Sequence, residues 1–190
     1  MIKKKVCVII TSRGNYGKMK SVMEELSLNE KFELQVVVGG SVVLDKYGKI
    51  FESEFVSDVL INATSYFLVE GETPITMAKS AGLAVIDFSS IFENLKPDLV
   101  FVVADRYECL PIAIAATYLN IPIAHIEGGE VSGSIDELIR HAITKMSHIH
   151  FPATDDAAIR INKMGEDIDK IFNVGSTSLD VLSNLPLDDL

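Results

Sequence analysis

Between residues 99 and 141 the chain reads LVFVVADRYECLPIAIAATYLNIPIAHIEGGEVSGSIDELIRH, and this stretch leaves few folds open. An apolar run from Leu99 to Ala104 stops abruptly at Asp105-Arg106. A second, from Ile121 to Ile126, stops at Glu127 followed by Gly128-Gly129. Short runs that are apolar throughout belong to strands buried on both faces. Between them, Tyr107 to Asn120 carries Leu110, Ile114, Ala115 and Tyr118 at helical spacing, so the unit reads strand, helix, strand. A parallel βαβ unit of this kind has a right-handed crossover and neighbouring strands about 4.8 Å apart. Asp105 and Glu127 are then expected to converge at the carboxyl edge, where open α/β sheets bind ligands.

A third carboxylate follows on a helix. Ser134 and Glu137 have the spacing of a capping box, with Ser134 as N-cap and Glu137 at N3. The apolar stripe behind them is Ile135, Leu138, Ile139, Ala142, Ile143 and Met146. Asp136 falls in the first turn, Arg140 one turn later on the same face. The loop from Gly128 to Gly133 contains three glycines, which lets backbone approach a ligand closely.

The flanking sequence extends the same pattern. Val6 to Ile10 is a β-branched run suited to the first strand of a doubly wound sheet. The loop Thr11 to Gly17 and a helix with Met19, Val22, Met23 and Leu26 on one face follow it. Strand, glycine-bearing loop and helix is how phosphate sites are built. This loop is neither G-x-G-x-x-G nor a P-loop, and Arg13 reads either as a phosphate ligand or as a surface arginine. Leu34 to Val38 is the second strand, closed by Gly39-Gly40; Lys46 to Lys49 reads as a turn and Ser65 to Val69 as a strand. Thr73-Pro74 starts a long helix with Ala78, Ala81, Val85, Phe88, Phe92 and Leu95 as its core face, stopped at Lys96-Pro97. Beyond the central unit, His148 to Pro152 is a short strand and Thr154-Asp155 caps a helix that stops at Gly165. Ile171 to Val174 is a last strand, and Gly175 to Ser178 opens a final helix. The expected fold class is α/β, a Rossmann-like doubly wound parallel sheet formed as one domain over residues 1–190.

Composition excludes several functions. A formal net charge of −10 argues against a general nucleic-acid surface, which needs clustered Lys and Arg. Residues 1–31 nevertheless carry seven Lys or Arg against three Glu, so the amino-terminal end could receive an anion. Cys7 and Cys109 lack metal or redox spacing and read as reduced thiols of a cytoplasmic protein. No signal peptide or transmembrane run is evident, and no membrane partner is expected. His148-x-His150 would put two imidazoles on one strand face, but no further His or Cys stands at ligand spacing, and no metal is expected. His125, inside a strand, reads as a hydrogen-bonded core residue.

With these residues in place, the chain resembles the hydrolysing UDP-N-acetylglucosamine 2-epimerases. The resemblance rests on Thr-Ser-Arg-Gly-Asn-Tyr-Gly-Lys at 11–18, Ala-Asp-Arg-Tyr-Glu at 104–108 and His-Ile-Glu-Gly-Gly-Glu-Val-Ser-Gly-Ser-Ile-Asp at 125–136, continued to Lys145. Non-hydrolysing relatives carry His-x-Glu-Ala-Gly-Leu-Arg at the long motif, and this chain does not. Val42 stands where the family commonly has the histidine of Gly-x-His-Leu, a departure that bears on which sugar is used. The resemblance implies a GT-B fold whose first half this chain matches, with the second domain absent and the 190 residues inactive alone. It implies a UDP-sugar substrate, no cofactor and a homo-oligomer. The implied reaction removes the C2 proton and expels UDP to give a glycal, then adds water to leave an inverted C2.

Carried over residue by residue, the resemblance makes Asp105, Glu127 and Asp136 the acid–base set. It makes Arg13, Gly17, Arg106, Gly128, Gly129, Ser132, Arg140 and His141 the substrate contacts. Asp136, beside a helix N-terminus, suits a base; Glu127, expected near another carboxylate, suits an acid. Two of the three carboxylates have a plainer reading, Asp136 as a helix-dipole acid and Asp105 as an N-cap, whereas Glu127, ending an apolar run ahead of Gly-Gly, has little structural use. Arg106 and Arg140 either clamp diphosphate or pair with neighbouring acids. Two further readings stand beside the epimerase: a non-catalytic nucleotide-sugar-binding domain, and half of a GT-B glycosyltransferase.

Overall fold

A computed structural model describes residues 2–47 and 60–183. β1 (Lys4–Ile10) leads into α1 (Arg13–Leu28) and β2 (Phe32–Gly39), followed by two short 3-10 turns, Gly40–Val43 and Asp45–Tyr47. Then come β3 (Ile61–Ser65), α2 (Pro74–Leu95), β4 (Leu99–Val103), α3 (Cys109–Tyr118) and β5 (Ile123–Ile126). The chain continues through α4 (Ile135–Met146), β6 (Ile149–Phe151), α5 (Asp155–Lys163), a 3-10 turn at Ile168–Lys170, and α6 (Ser178–Ser183). Of the turn expected at Lys46 to Lys49, the last two residues lie outside the described residues.

The six strands form one parallel sheet in the order β3-β2-β1-β4-β5-β6. Successive side chains of a strand point to opposite faces, so each apolar strand feeds two cores. Cys7, Ile9, Val100, Val102 and Ile123 face one side, under Phe88 and Phe92 of α2 and Ile112 of α3. Val6, Val8, Ile10, Phe101, Val103 and Ala124 face the other, under Tyr16, Met19 and Met23 of α1. This two-sided burial is why the strands read as continuous hydrophobic runs.

Several local expectations are corrected. The third strand ends where it was expected to begin: Gly39↔Ser65 is its last pairing with β2. Past it Phe67 turns inward to meet Phe88 at 6.2 Å, because β2 offers no further backbone to pair with. Residues Ile171 to Val174 make only an isolated bridge, His150↔Ile171, since β6 is three residues long. α1 begins at Arg13, so most of the expected loop is its first turn. The buried face of α2 is Ser80, Ala84, Phe88 and Phe92, while Ala78 is exposed. α3 buries Cys109, Pro111, Ile112, Ala113, Ala115 and Ala116 and leaves Tyr118 82% exposed.

On α4 the buried residues are Arg140, Ile143 and Thr144, and Ile135 and Leu138 face outward. Its capping box is also different. The Ser134 hydroxyl accepts from the Asp136 amide, and Glu137 accepts from the Ser132 and Gly133 amides rather than from its own N-cap. The reciprocal box occurs instead at Thr73 and Thr76. Among the described residues, α2 alone is long and apolar enough to cross a bilayer, at 22 residues. Its Phe88 and Phe92 belong to the sheet core.

Candidate active site

In the strand order 3-2-1-4-5-6, β1 and β4 are the neighbours at which the connections leave in opposite directions, and ligands bind outside the carboxyl ends of such a pair. An open cleft of about 860 Å³ lies there, between the start of α1 and the end of β4. Ser12, Arg13, Asn15 and Lys18 line it from α1, Asp105 and Arg106 from β4, and Lys46 from the second 3-10 turn. Four of these side chains are cationic.

The α1 end is held by its own polar residues. Ser12 is the N-cap and accepts from the Asn15 amide at 3.2 Å. The Thr11 hydroxyl donates to Asn15 Oδ1 at 2.6 Å and the Ser12 hydroxyl to the same oxygen at 3.2 Å. α1 has no acidic residue in its first turn, so its positive end faces the cleft uncompensated.

Both strand-end carboxylates depend on left-handed backbone. Ala104, which precedes Asp105, has φ +57°, and Glu127 itself has φ +58°. Such values are uncommon outside glycine and cluster at functional sites. The Ala104 amide donates to Ile126 O at 2.8 Å and the Glu127 amide to Phe151 O at 2.9 Å, so each turn is tied to the next strand. Asp105 does not cap α3, whose N-cap is Glu108; its carboxylate forms an ion pair with the buried Arg140. Arg140 also donates from Nη1 to Glu130 O at 2.7 Å. Arg106 lines the cleft while gripping the buried Glu108 carboxylate at 2.9–3.3 Å.

Glu127 follows β5, whose Ile126 pairs with Val103 of β4. The Glu127 side chain lies between the Lys18 ammonium and the Ser176 hydroxyl, which donates at 2.8 Å. Asp105, the carboxylate expected near it, is ion-paired with Arg140. Asp136 sits apart from the cleft lining on the first turn of α4, where the Ser134 hydroxyl donates to its Oδ2 at 3.2 Å.

The other expected contacts are scattered. Gly17 lies within α1 with nothing near a would-be Cβ. Gly128 and Gly129 are required by packing: a Cβ would come within 2.7 Å of His125 Nδ1 at the first and 2.6 Å of Ala157 O at the second. Ser132 is exposed and spends its amide on Glu137. His141 Nε2 lies 4.0 Å from Glu137. His125 is fully buried, its Nε2 2.9 Å from Ala104 O and its Nδ1 3.1 Å from the Thr144 hydroxyl. Of the His148-x-His150 pair only His150 is buried, 3.3 Å from Glu166. No cluster of three metal-ligating side chains occurs among the described residues.

Sequence reasoning missed Lys18, Ser176, Lys46 and Asn15. Lys18 was within reach of it, as the last residue of the 11–18 motif on which the resemblance rests.

A Rossmann-like domain with a cationic helix end and a strand-end carboxylate at its switch point has the layout at which open α/β sheets bind ligands. The family model described as UDP-N-acetylglucosamine 2-epimerase matches residues 24–189, and the chain belongs to that family. A relative from Legionella pneumophila, named UDP-N,N'-diacetylbacillosamine 2-epimerase (hydrolyzing), is 37% identical over 93% of this chain and 47% of its own length. The Campylobacter jejuni GDP/UDP-N,N'-diacetylbacillosamine 2-epimerase (hydrolyzing) is 32% identical over 97% of this chain and 48% of its own length. The chain thus spans about half the length of these relatives. A crystal structure of a UDP-N-acetylglucosamine 2-epimerase shares the fold at TM-score 0.85, with 24% identity over 96% of this chain and 51% of that one.

Proposed function

We propose that this domain supplies the acid–base half of a hydrolysing 2-epimerase acting on a UDP-linked 2-acetamido sugar. The observation that carries the reading is Asp105 standing in one cleft with Arg13, Lys18, Lys46 and the α1 N-terminus. A pyrophosphate leaving group develops negative charge as the C1–O bond breaks, and fixed cations with a helix end favour that charge. The C2 proton has no adjacent carbonyl to acidify it, so a carboxylate base acts best once C1–O cleavage is advanced; each placed acid or base contributes roughly 10²–10⁴ in rate. Loss of the C2 proton and UDP leaves a glycal. Water then adds OH at C1 and H at C2 from the opposite face.

Asp136 takes the base role, because a helix N-terminus favours the carboxylate. The acid role falls on Glu127, which the Lys18 ammonium and the Ser176 hydroxyl hold in place. Ser132, Arg140 and His141 shape the α4 side of the site. The names of the two relatives favour a 2,4-diacetamido sugar over N-acetylglucosamine. Val42, 2% exposed in the core, offers no polar group in the place of the family histidine. A second Rossmann-like half completes a GT-B cleft, and the exposed Ile75, Leu83 and Ile86 of α2 suit a homo-oligomer.

The test is incubation in deuterium oxide of the 190-residue chain and of the complete product of its gene, each with UDP-2,4-diacetamido sugar or UDP-N-acetylglucosamine. UDP release with deuterium at C2 of the free sugar, from the complete product and strongest with the diacetamido sugar, is expected. UDP release from neither substrate would remove the epimerase and leave a nucleotide-sugar-binding domain.

A further inference from the structure

His125 is neutral and buried, yet both of its ring nitrogens are committed to elements that carry the site. A carbonyl can only accept, so Nε2–H donates to Ala104 O, while Nδ1 lies 3.1 Å from the Thr144 hydroxyl of α4, whose single hydrogen is shared between Nδ1 and Arg140 O at 3.0 Å. Ala104 is the left-handed residue that aims Asp105 into the cleft, and Thr144 is one turn beyond Arg140, the ion-pair partner of Asp105. With the Ala104 amide bonded to Ile126 O, both backbone polar groups of Ala104 are held from β5. The absence of a Cβ at Gly128 keeps the space that the ring occupies.

We infer that His125 is a positioning residue for the reaction: its Nε2–H holds the Ala104 carbonyl, and through it the left-handed turn that sets the Asp105 carboxylate. This rests on the epimerase reading. It predicts an asymmetry between two substitutions of similar size. Gln reaches the Nε2 position and keeps the bond to Ala104; Asn reaches only the Nδ1 position and keeps the bond to Thr144.

The experiment compares His125→Gln and His125→Asn in the complete enzyme, reading kcat, KM and the Ala104 backbone torsion by NMR. His125→Asn is expected to lose about 10²-fold in kcat with KM nearly unchanged, the scale of a misplacement of about 1 Å. His125→Gln should stay within about 3-fold of the parent. Adding Ala104→Gly to His125→Asn should recover part of kcat, since glycine adopts the left-handed turn without help. Equal kcat losses in the two variants, or no recovery with Ala104→Gly, would overturn the inference. If a His125 variant does not fold, Ala104→Val tests the same turn, and an unchanged kcat there would also overturn it. If the parent releases no UDP, the function reading fails on its own. The torsion then decides: it should leave the left-handed region in His125→Asn and stay there in His125→Gln, and any other pattern ends the claim.

Discussion

Burial pushes the imidazole of His125 down to about 4 and that of His150 below its ordinary value. The unfolded chain takes up a proton at each near pH 6.5 while the folded chain resists, so the unfolded state binds more protons as pH falls. The stability from these neutral histidines is fully present above pH 6.5 and is lost as the solution is acidified towards pH 4. The His125 share is about 3 kcal/mol. Urea melts from pH 7 to pH 4 should show this slope, and His125→Gln should flatten it; an equal slope in both would put the acid sensitivity elsewhere. Arg140 belongs to the same scale. Arg140→Gln leaves Asp105 half-enclosed without its cation, and removing one member of a buried pair costs about 3–5 kcal/mol, less here because Asp105 keeps some contact with water. A midpoint shift worth about 2 kcal/mol is expected in urea; no shift would make the pair incidental. These residues were legible in sequence as chemistry, two carboxylates after apolar runs and arginines that either clamp diphosphate or pair with acids, but which acid each would meet was not. Glu127 meets Lys18 across 109 residues of chain, and no local pattern encodes that.

Helices show where periodicity succeeds and where it slips. α2 was legible in its cap, its length and its stop, all of which are local: Thr73 caps it, and Lys96 ends it in a left-handed conformation ahead of Pro97. Its buried face was only half legible, because a helix rich in apolar residues on all sides gives no single stripe. Contact with the sheet then chose Ser80, Ala84, Phe88 and Phe92. α3 is the same case at shorter length, apolar on every side, so spacing could not choose its face. Phe88, in ring contact with both Phe67 and Phe92, is the centre of this layer. Phe88→Ala should cost about 3–5 kcal/mol by the cavity it leaves. Calorimetry reads it, and a loss under 1 kcal/mol would mean the layer repacks. Between elements, Gly129→Ala drives a Cβ into Ala157 O and Ile161 of α5 at φ +81°. It should lower the thermal midpoint clearly, whereas Gly17→Ala, with open space around it, should not.

At the scale of the whole molecule, an acidic chain of net charge −10 gathers cations at one sheet edge. Pyrophosphate should therefore raise the melting temperature of the 190-residue chain. The rise should shrink in 0.5 M NaCl, at which the Debye length is roughly 4 Å, and in Arg13→Ala. A rise indifferent to both would place the anion outside this cleft. What the sequence determined by itself was the parallel sheet, the ends of β1, β4 and β5 and the residues that follow them, because apolar run length and its abrupt polar stops are properties of neighbouring residues. Tertiary structure alone decided which charge met which, which helix faces were buried, and that Gly128 and Gly129 serve packing. Those outcomes depend on distances between segments far apart in the chain, which are fixed only when the layers close on one another.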